Sequence, residues 1–108
     1  MCAIDEYIVL SESNNLQITY CKKCKAFSLA YKSCYSSFSV AELDQFGQII
    51  SGLQDIDFHD QLMDKTVAIV KNPFVAIGFC LTIEEAKELD MAIKESLALF
   101  EVFQVIYQ

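Results

Sequence analysis

Apolar and polar residues alternate at the start of the chain. Tyr7-Ile8-Val9-Leu10 is apolar and strand-prone. Ser11-Glu12-Ser13-Asn14-Asn15 has turn chemistry, and Leu16, Ile18 and Tyr20 then share one face of the next strand, with Gln17 and Thr19 on the other. The pattern predicts a β-hairpin over residues 6–21. If it turns near Ser13 and Asn14, Tyr7 faces Tyr20 and Cys2 comes close to Lys25. A second hairpin follows: Phe27, Leu29 and Tyr31 alternate, Lys32-Ser33 turns, and Cys34 to Phe38 returns. The period then changes. Ser39 stands three residues before Glu42, the spacing of a capping box, and Val40, Leu43, Phe46, Ile50 and Leu53 recur at helical intervals. Residues 54–64 are acidic and irregular and read as the main loop.

A third hairpin is predicted from Thr66–Val70, a turn at Lys71-Asn72-Pro73-Phe74, and the alternating run Val75, Ile77, Phe79, Leu81. Its intervening residues Ala76, Gly78 and Cys80 are small, which predicts a strand covered on both faces and central in its sheet. Thr82 and Glu85 form a second capping box ahead of Ile83, Ala86, Leu89, Ile93, Leu97 and Phe100. Residues 102–107 continue this helix or turn into a last strand. The two strand-to-helix junctions, at Phe38-Ser39 and Leu81-Thr82, suggest a ββα pseudo-repeat. The expectation is one α+β domain over residues 1–108, a mainly antiparallel sheet of about six strands with two helices on one face.

Composition narrows the function. The 108 residues carry a net charge of −7 and no arginine, which argues against nucleic-acid binding. No apolar run approaches the length of a membrane span, and acidic Asp5 and Glu6 stand where an export signal carries positive charge. The reading is a cytoplasmic protein, in which Cys34 and Cys80 serve as small buried apolar residues. Lys22, Lys23, Lys25 and Lys32 form a basic cluster around a cysteine turn.

That turn, Cys21-Lys22-Lys23-Cys24, carries the only spacing that hints at chemistry. Two residues between cysteines let both sulfurs face one metal ion. With Cys2 brought alongside, Cys2, Cys21 and Cys24 are the candidate ligands of a structural zinc. His59 and Cys80 are the candidates for a fourth. Lys25 stands where a zinc knuckle often has glycine, which weighs against the site. A redox role is disfavoured because the pair precedes no helix. The acidic loop lacks the pattern of a calcium site, and no nucleophile or phosphate loop accompanies His59, the only histidine. The main expectation is therefore a non-enzymatic module that binds a protein partner, or a second copy of itself, through its apolar C-terminal segment. The alternative is a zinc-stabilised fold. A small thiol or metal-dependent enzyme is the third reading, should such a zinc keep an open position.

The chain resembles a small uncharacterised family of bacterial proteins, typical of Bacteroidetes, known as a domain of unknown function. The resemblance rests on Met1-Cys2, the Cys21-x-x-Cys24 turn, Phe27-Ser28-Leu29 and the helix opening Ser39 to Phe46. Members tend to carry a histidine shortly after the first cysteine and a glycine after the third, where this chain has Ile4 and Lys25. The resemblance implies no activity, substrate or partner.

Overall fold

The computed structural model describes residues 7–32, 34–62, 64–71 and 78–106. Four strands come first: β1 (Tyr7–Ser13), β2 (Leu16–Cys21), β3 (Ala26–Tyr31) and β4 (Cys34–Phe38). They form an antiparallel sheet in the order β1-β2-β3-β4. Helix α1 (Val40–Ser51) follows, then a short 3-10 turn at Asp55–Asp57. Next come β5 (Asp60–Leu62), β6 (Lys65–Lys71), β7 (Gly78–Leu81) and helix α2 (Ile83–Ile106).

The α+β class holds, but the strands divide into two sheets of four and three. The second sheet has the order β5-β6-β7, so β6 is its middle strand. The sequence places the run ending at Leu81 in the centre instead. In β7, Phe79 and Leu81 are buried while Gly78 and Cys80 are exposed, so one face alone is covered. Small side chains on the outer face reflect an uncovered side. Strand β5 lies inside the segment read as loop; three residues are too few for alternation to register. Residues 72–77, which include the predicted third turn and Val75 to Ile77, fall outside the described residues.

The first hairpin differs from its expected register by one residue at Tyr7 and by two next to the turn. Tyr7 faces Cys21 and Ser13 faces Leu16, so Asn14-Asn15 is the turn. A β-bulge between Val9 and Ser11 inserts Leu10, which is buried in the core. The bulge lets Ile8 and Leu10 both pack inward despite the shift. Inward residues of the sheet are Leu16, Ile18, Tyr20, Phe27, Leu29, Tyr31 and Phe38. Ser28 and Tyr35 hydrogen-bond to each other at 2.8 Å on the outer face.

Both helices open as the sequence predicts. The Ser39 backbone N–H donates to Glu42 Oε1 at 2.8 Å and the Glu42 N–H donates to Ser39 Oγ at 3.2 Å. At α2 the Thr82 N–H donates to Glu85 Oε1 at 2.9 Å and the Glu85 N–H to Thr82 Oγ1 at 3.3 Å. Helix α1 packs on β3 and β4, and α2 packs on β1, β2, β7 and α1. Two aromatic clusters tie the layers together. Tyr20, Phe27 and Phe100 meet with centroids 4.7–5.0 Å apart. Phe46 stands between Phe38 at 5.2 Å and Phe79 at 5.6 Å, linking β4, α1 and β7. Each such ring pair contributes about 1 kcal/mol beyond area burial.

The C-terminal segment is helix through Ile106, which decides between the two alternatives left by the sequence. With 24 residues, α2 is about 36 Å long. The described molecule measures 45 × 25 × 24 Å, so this helix runs along most of its long axis.

Candidate functional site

The cysteine turn joins β2 to β3. Cys21 ends β2 and faces Ala26 across the ladder. The Lys25 N–H donates to the Cys21 carbonyl at 2.8 Å, closing the loop. The Cys24 N–H donates to Cys21 Sγ at 3.3 Å, within the range for sulfur acceptors. Lys25 has φ of 55°, the left-handed conformation that a glycine would adopt more easily. The missing glycine therefore does not keep the turn from wrapping around the Cys21 sulfur. Lysine takes the same backbone conformation at a cost of about 1 kcal/mol.

Cys21 is 3% exposed and free, while Cys24 is exposed and disulfide-bonded. Cys2, the third ligand expected from the sequence, lies outside the described residues. Cys34 and Cys80 are free and exposed rather than buried. Cys34 opens an edge strand opposite Tyr31, at the end of β3 far from the turn, and Cys80 sits on the outer face of β7. His59 is exposed; its Nδ1 lies 3.0 Å from the Ile56 carbonyl and its Nε2 3.8 Å from Asp60. Among the described residues no three histidine, cysteine or carboxylate groups converge as metal ligands, so neither His59 nor Cys80 completes a set with Cys21 and Cys24.

The basic cluster is smaller than the sequence suggests. Lys22, Lys23 and Lys25 are exposed around the cysteine turn. Lys32 lies at the other end of β3, where its N–H donates to the Asn15 carbonyl and its ammonium pairs with Glu85. Strand length separates it from Lys25 although the two are close in sequence. Lys32 joins Tyr31, Glu85 and Glu88 instead. Burial raises the Tyr31 hydroxyl well above the usual tyrosine range, and the negative charges of Glu85 and Glu88 add to it. Burial alone would raise Glu85, but its contacts with Lys32 and Thr82 outweigh that and hold it below the ordinary glutamate value.

The second notable surface is on α2. Its buried side carries Ala86, Leu89, Ala92, Ile93 and Ser96. At 100° per residue, Met91, Ala98, Val102 and Val105 fall within an arc of about 60° on the opposite side. Met91 is 71% exposed, Val102 51%, Val105 81% and neighbouring Ile106 63%. Lys94 and Glu101 flank this stripe, and Glu95 interrupts it. The sequence pattern picks out the apolar residues from Phe100 onward but misses Met91. Its spacing of seven from Ala98 was the available signal.

A cavity of about 60 Å³ lies under α2 between Ile8, Tyr20, Phe100 and Phe103, with Lys22 at its rim. That is well below the several hundred Å³ of a usual small-molecule site. A larger open depression of about 580 Å³ surrounds the Asn14-Asn15 turn, at the opposite end of β2 from the Cys21–Cys24 turn. Among the described residues no helix is long and apolar enough to cross a membrane.

No curated protein and no solved structure matches the chain. A family model does, over residues 1–97, which takes in the cysteine turn, both sheets, α1 and α2 up to Leu97. The chain therefore belongs to a family of unknown function (DUF6686).

Proposed function

We propose that this chain is a non-enzymatic cytoplasmic protein-binding module that pairs with a second copy of itself through α2. The observation that carries the reading is the exposed stripe Met91, Ala98, Val102, Val105. Large apolar side chains gathered on one face of a helix lower their free energy by meeting a similar face. The spacing of four between Ala98 and Val102 and three between Val102 and Val105 is that of a coiled-coil seam. An antiparallel arrangement that sets Met91 against Val102 of the second copy also brings Lys94 beside the partner's Glu101. Opposite charge at the rim then accompanies apolar contact at the centre.

Most of the stripe lies beyond residue 97, where the family match ends. We therefore assign the pairing to this chain rather than to the family. Sedimentation equilibrium over a range of concentrations tests it. The expected result is a reversible shift from one to two chain masses, with Val102→Glu held at one mass at every concentration. A wild-type protein that stays at one mass throughout would overturn the reading.

A further inference from the structure

We infer that the depression beside the Asn14-Asn15 turn is a binding site for a neutral sugar, with the Tyr35 ring as the platform for a pyranose. The site is on the outer face of the first sheet and is independent of pairing through α2. Its floor follows from the register. Glu12 faces Gln17, Gln17 faces Ala30 and Ala30 faces Tyr35, so these residues share one row across all four strands. Gln17 and Ala30 alternate with buried neighbours, which puts the row on the side away from the core. At about 4.8 Å between strands, the row is about 14 Å long. Ala30 sets a methyl group between two longer side chains and leaves a dip there. The turn Ser13-Asn14-Asn15 and Lys32 border the depression of about 580 Å³ together with the row as far as Ala30. That volume is within the range of sites that take small ligands.

Charge selects the class of ligand. Gln17 Nε2 donates to a Glu12 carboxylate oxygen at 2.6 Å, and the Lys32 ammonium pairs with Glu85. An anion would face the Glu12 carboxylate and compete with Glu85 for Lys32, while a cation would face Lys32. A neutral ligand meets neither penalty. Among the described residues the exposed Asn14 and Asn15 side chains hold no hydrogen bond. Each amide offers two donors and a carbonyl acceptor, the mixed set that neighbouring sugar hydroxyls require.

Tyr35 supplies the apolar half of the site. Its ring is 60% exposed, and the hydrogen bond between its hydroxyl and Ser28 holds the ring along the outer face. One face of a pyranose carries mostly C–H groups. Laying that face on the ring removes apolar surface from water and leaves the hydroxyls at the sugar's edge free for the amides. The next row on the same face holds Thr19, Ser28 and Ser37, three hydroxyls with no charge among them. A second sugar unit continues onto it.

The test is an NMR titration of the full chain, labelled with nitrogen-15, with the neutral disaccharides cellobiose, maltose and lactose and with glucose 6-phosphate. At least one disaccharide should shift the amide signals of Asn14, Asn15, Gln17, Ala30 and Tyr35 and leave those of α2 in place. A Kd of about 1 mM is expected for so open a site. Tyr35→Ala should weaken binding at least about fivefold, and Asn14→Ala at least about threefold. Tyr35→Phe keeps the ring and should bind within about twofold of wild type. Tyr35 and Asn14 are exposed, so these replacements leave the core intact. Absence of shifts with all three disaccharides would overturn the proposal, as would shifts that Tyr35→Ala does not reduce. Tighter binding of glucose 6-phosphate than of every neutral sugar would also overturn it, by giving the depression to an anion.

Discussion

Tyr31 ends β3 where the sheet meets the first turns of α2, and its hydroxyl donates to Glu88. Its environment favours the neutral phenol, because ionising it would place a charge in a buried spot facing Glu85 and Glu88. The folded value is raised above the unfolded value of 10.0. The stabilising contribution is therefore complete below pH 10.0 and is lost as pH rises above it, since the unfolded chain ionises first. Urea unfolding at rising pH should show wild-type stability falling in that range, and Tyr31→Phe should fall less steeply. An equal slope in the variant would refute this assignment. Tyr20, raised by burial and by Cys21, adds to the slope in the same direction. None of this was legible in the sequence. Tyr31 reads there as one more inward strand residue, and its neighbours Glu85 and Glu88 are more than fifty positions away.

At the scale of elements, local features were legible and distant pairings were not. Each capping box joins a hydroxyl to a carboxylate three residues on, so the sequence places both partners together. A strand's neighbours are set by contacts far along the chain, and for that reason the division into two sheets escaped the pattern. The bulge at Leu10 shifts the hairpin by one residue, an insertion that alternation over so short a strand does not reveal. The helix pair has a further condition. A Cβ built on Gly47 would lie 2.8 Å from Ile93 Cγ2, inside contact distance, and Ile93 is a buried branched side chain with little room to move. Gly47→Ala gains about 1 kcal/mol of helix propensity but forces α1 and α2 apart, at a cost of about 1–3 kcal/mol. The expected net effect is a loss of about 1 kcal/mol in chemical denaturation. Equal or greater stability would mean that the helices part easily. Gly47→Ala combined with Ile93→Val, which trims the crowded side chain, should recover part of the loss.

For the whole molecule, the question is whether a chain of net charge −7 meets its own copy through a specific face or merely collects through apolar surface. General repulsion and specific pairing make opposite predictions for two substitutions. Glu101→Lys changes the net charge from −7 to −5, which weakens repulsion between copies; Lys94→Glu changes it from −7 to −9. If overall charge governs, the first variant associates more strongly and the second more weakly. In the antiparallel pair each rim contact occurs twice, between Lys94 of one chain and Glu101 of the other. Either single reversal then sets like charges together, and each should weaken association by about tenfold. The double variant Lys94→Glu/Glu101→Lys restores opposite charges and leaves the net charge at −7, so its association should return to within about threefold of wild type. Lys94 also meets Asp90 one turn earlier at 3.0 Å, a contact within one chain that is lost in both variants containing Lys94→Glu. That loss acts on the helix itself and is read separately by helix content. Raising the salt should shrink the differences between variants, since rim charges are screened within about 10 Å at moderate ionic strength. Stronger association of Glu101→Lys alone, with no recovery in the double variant, would rule out the antiparallel register and leave the apolar stripe without a fixed orientation.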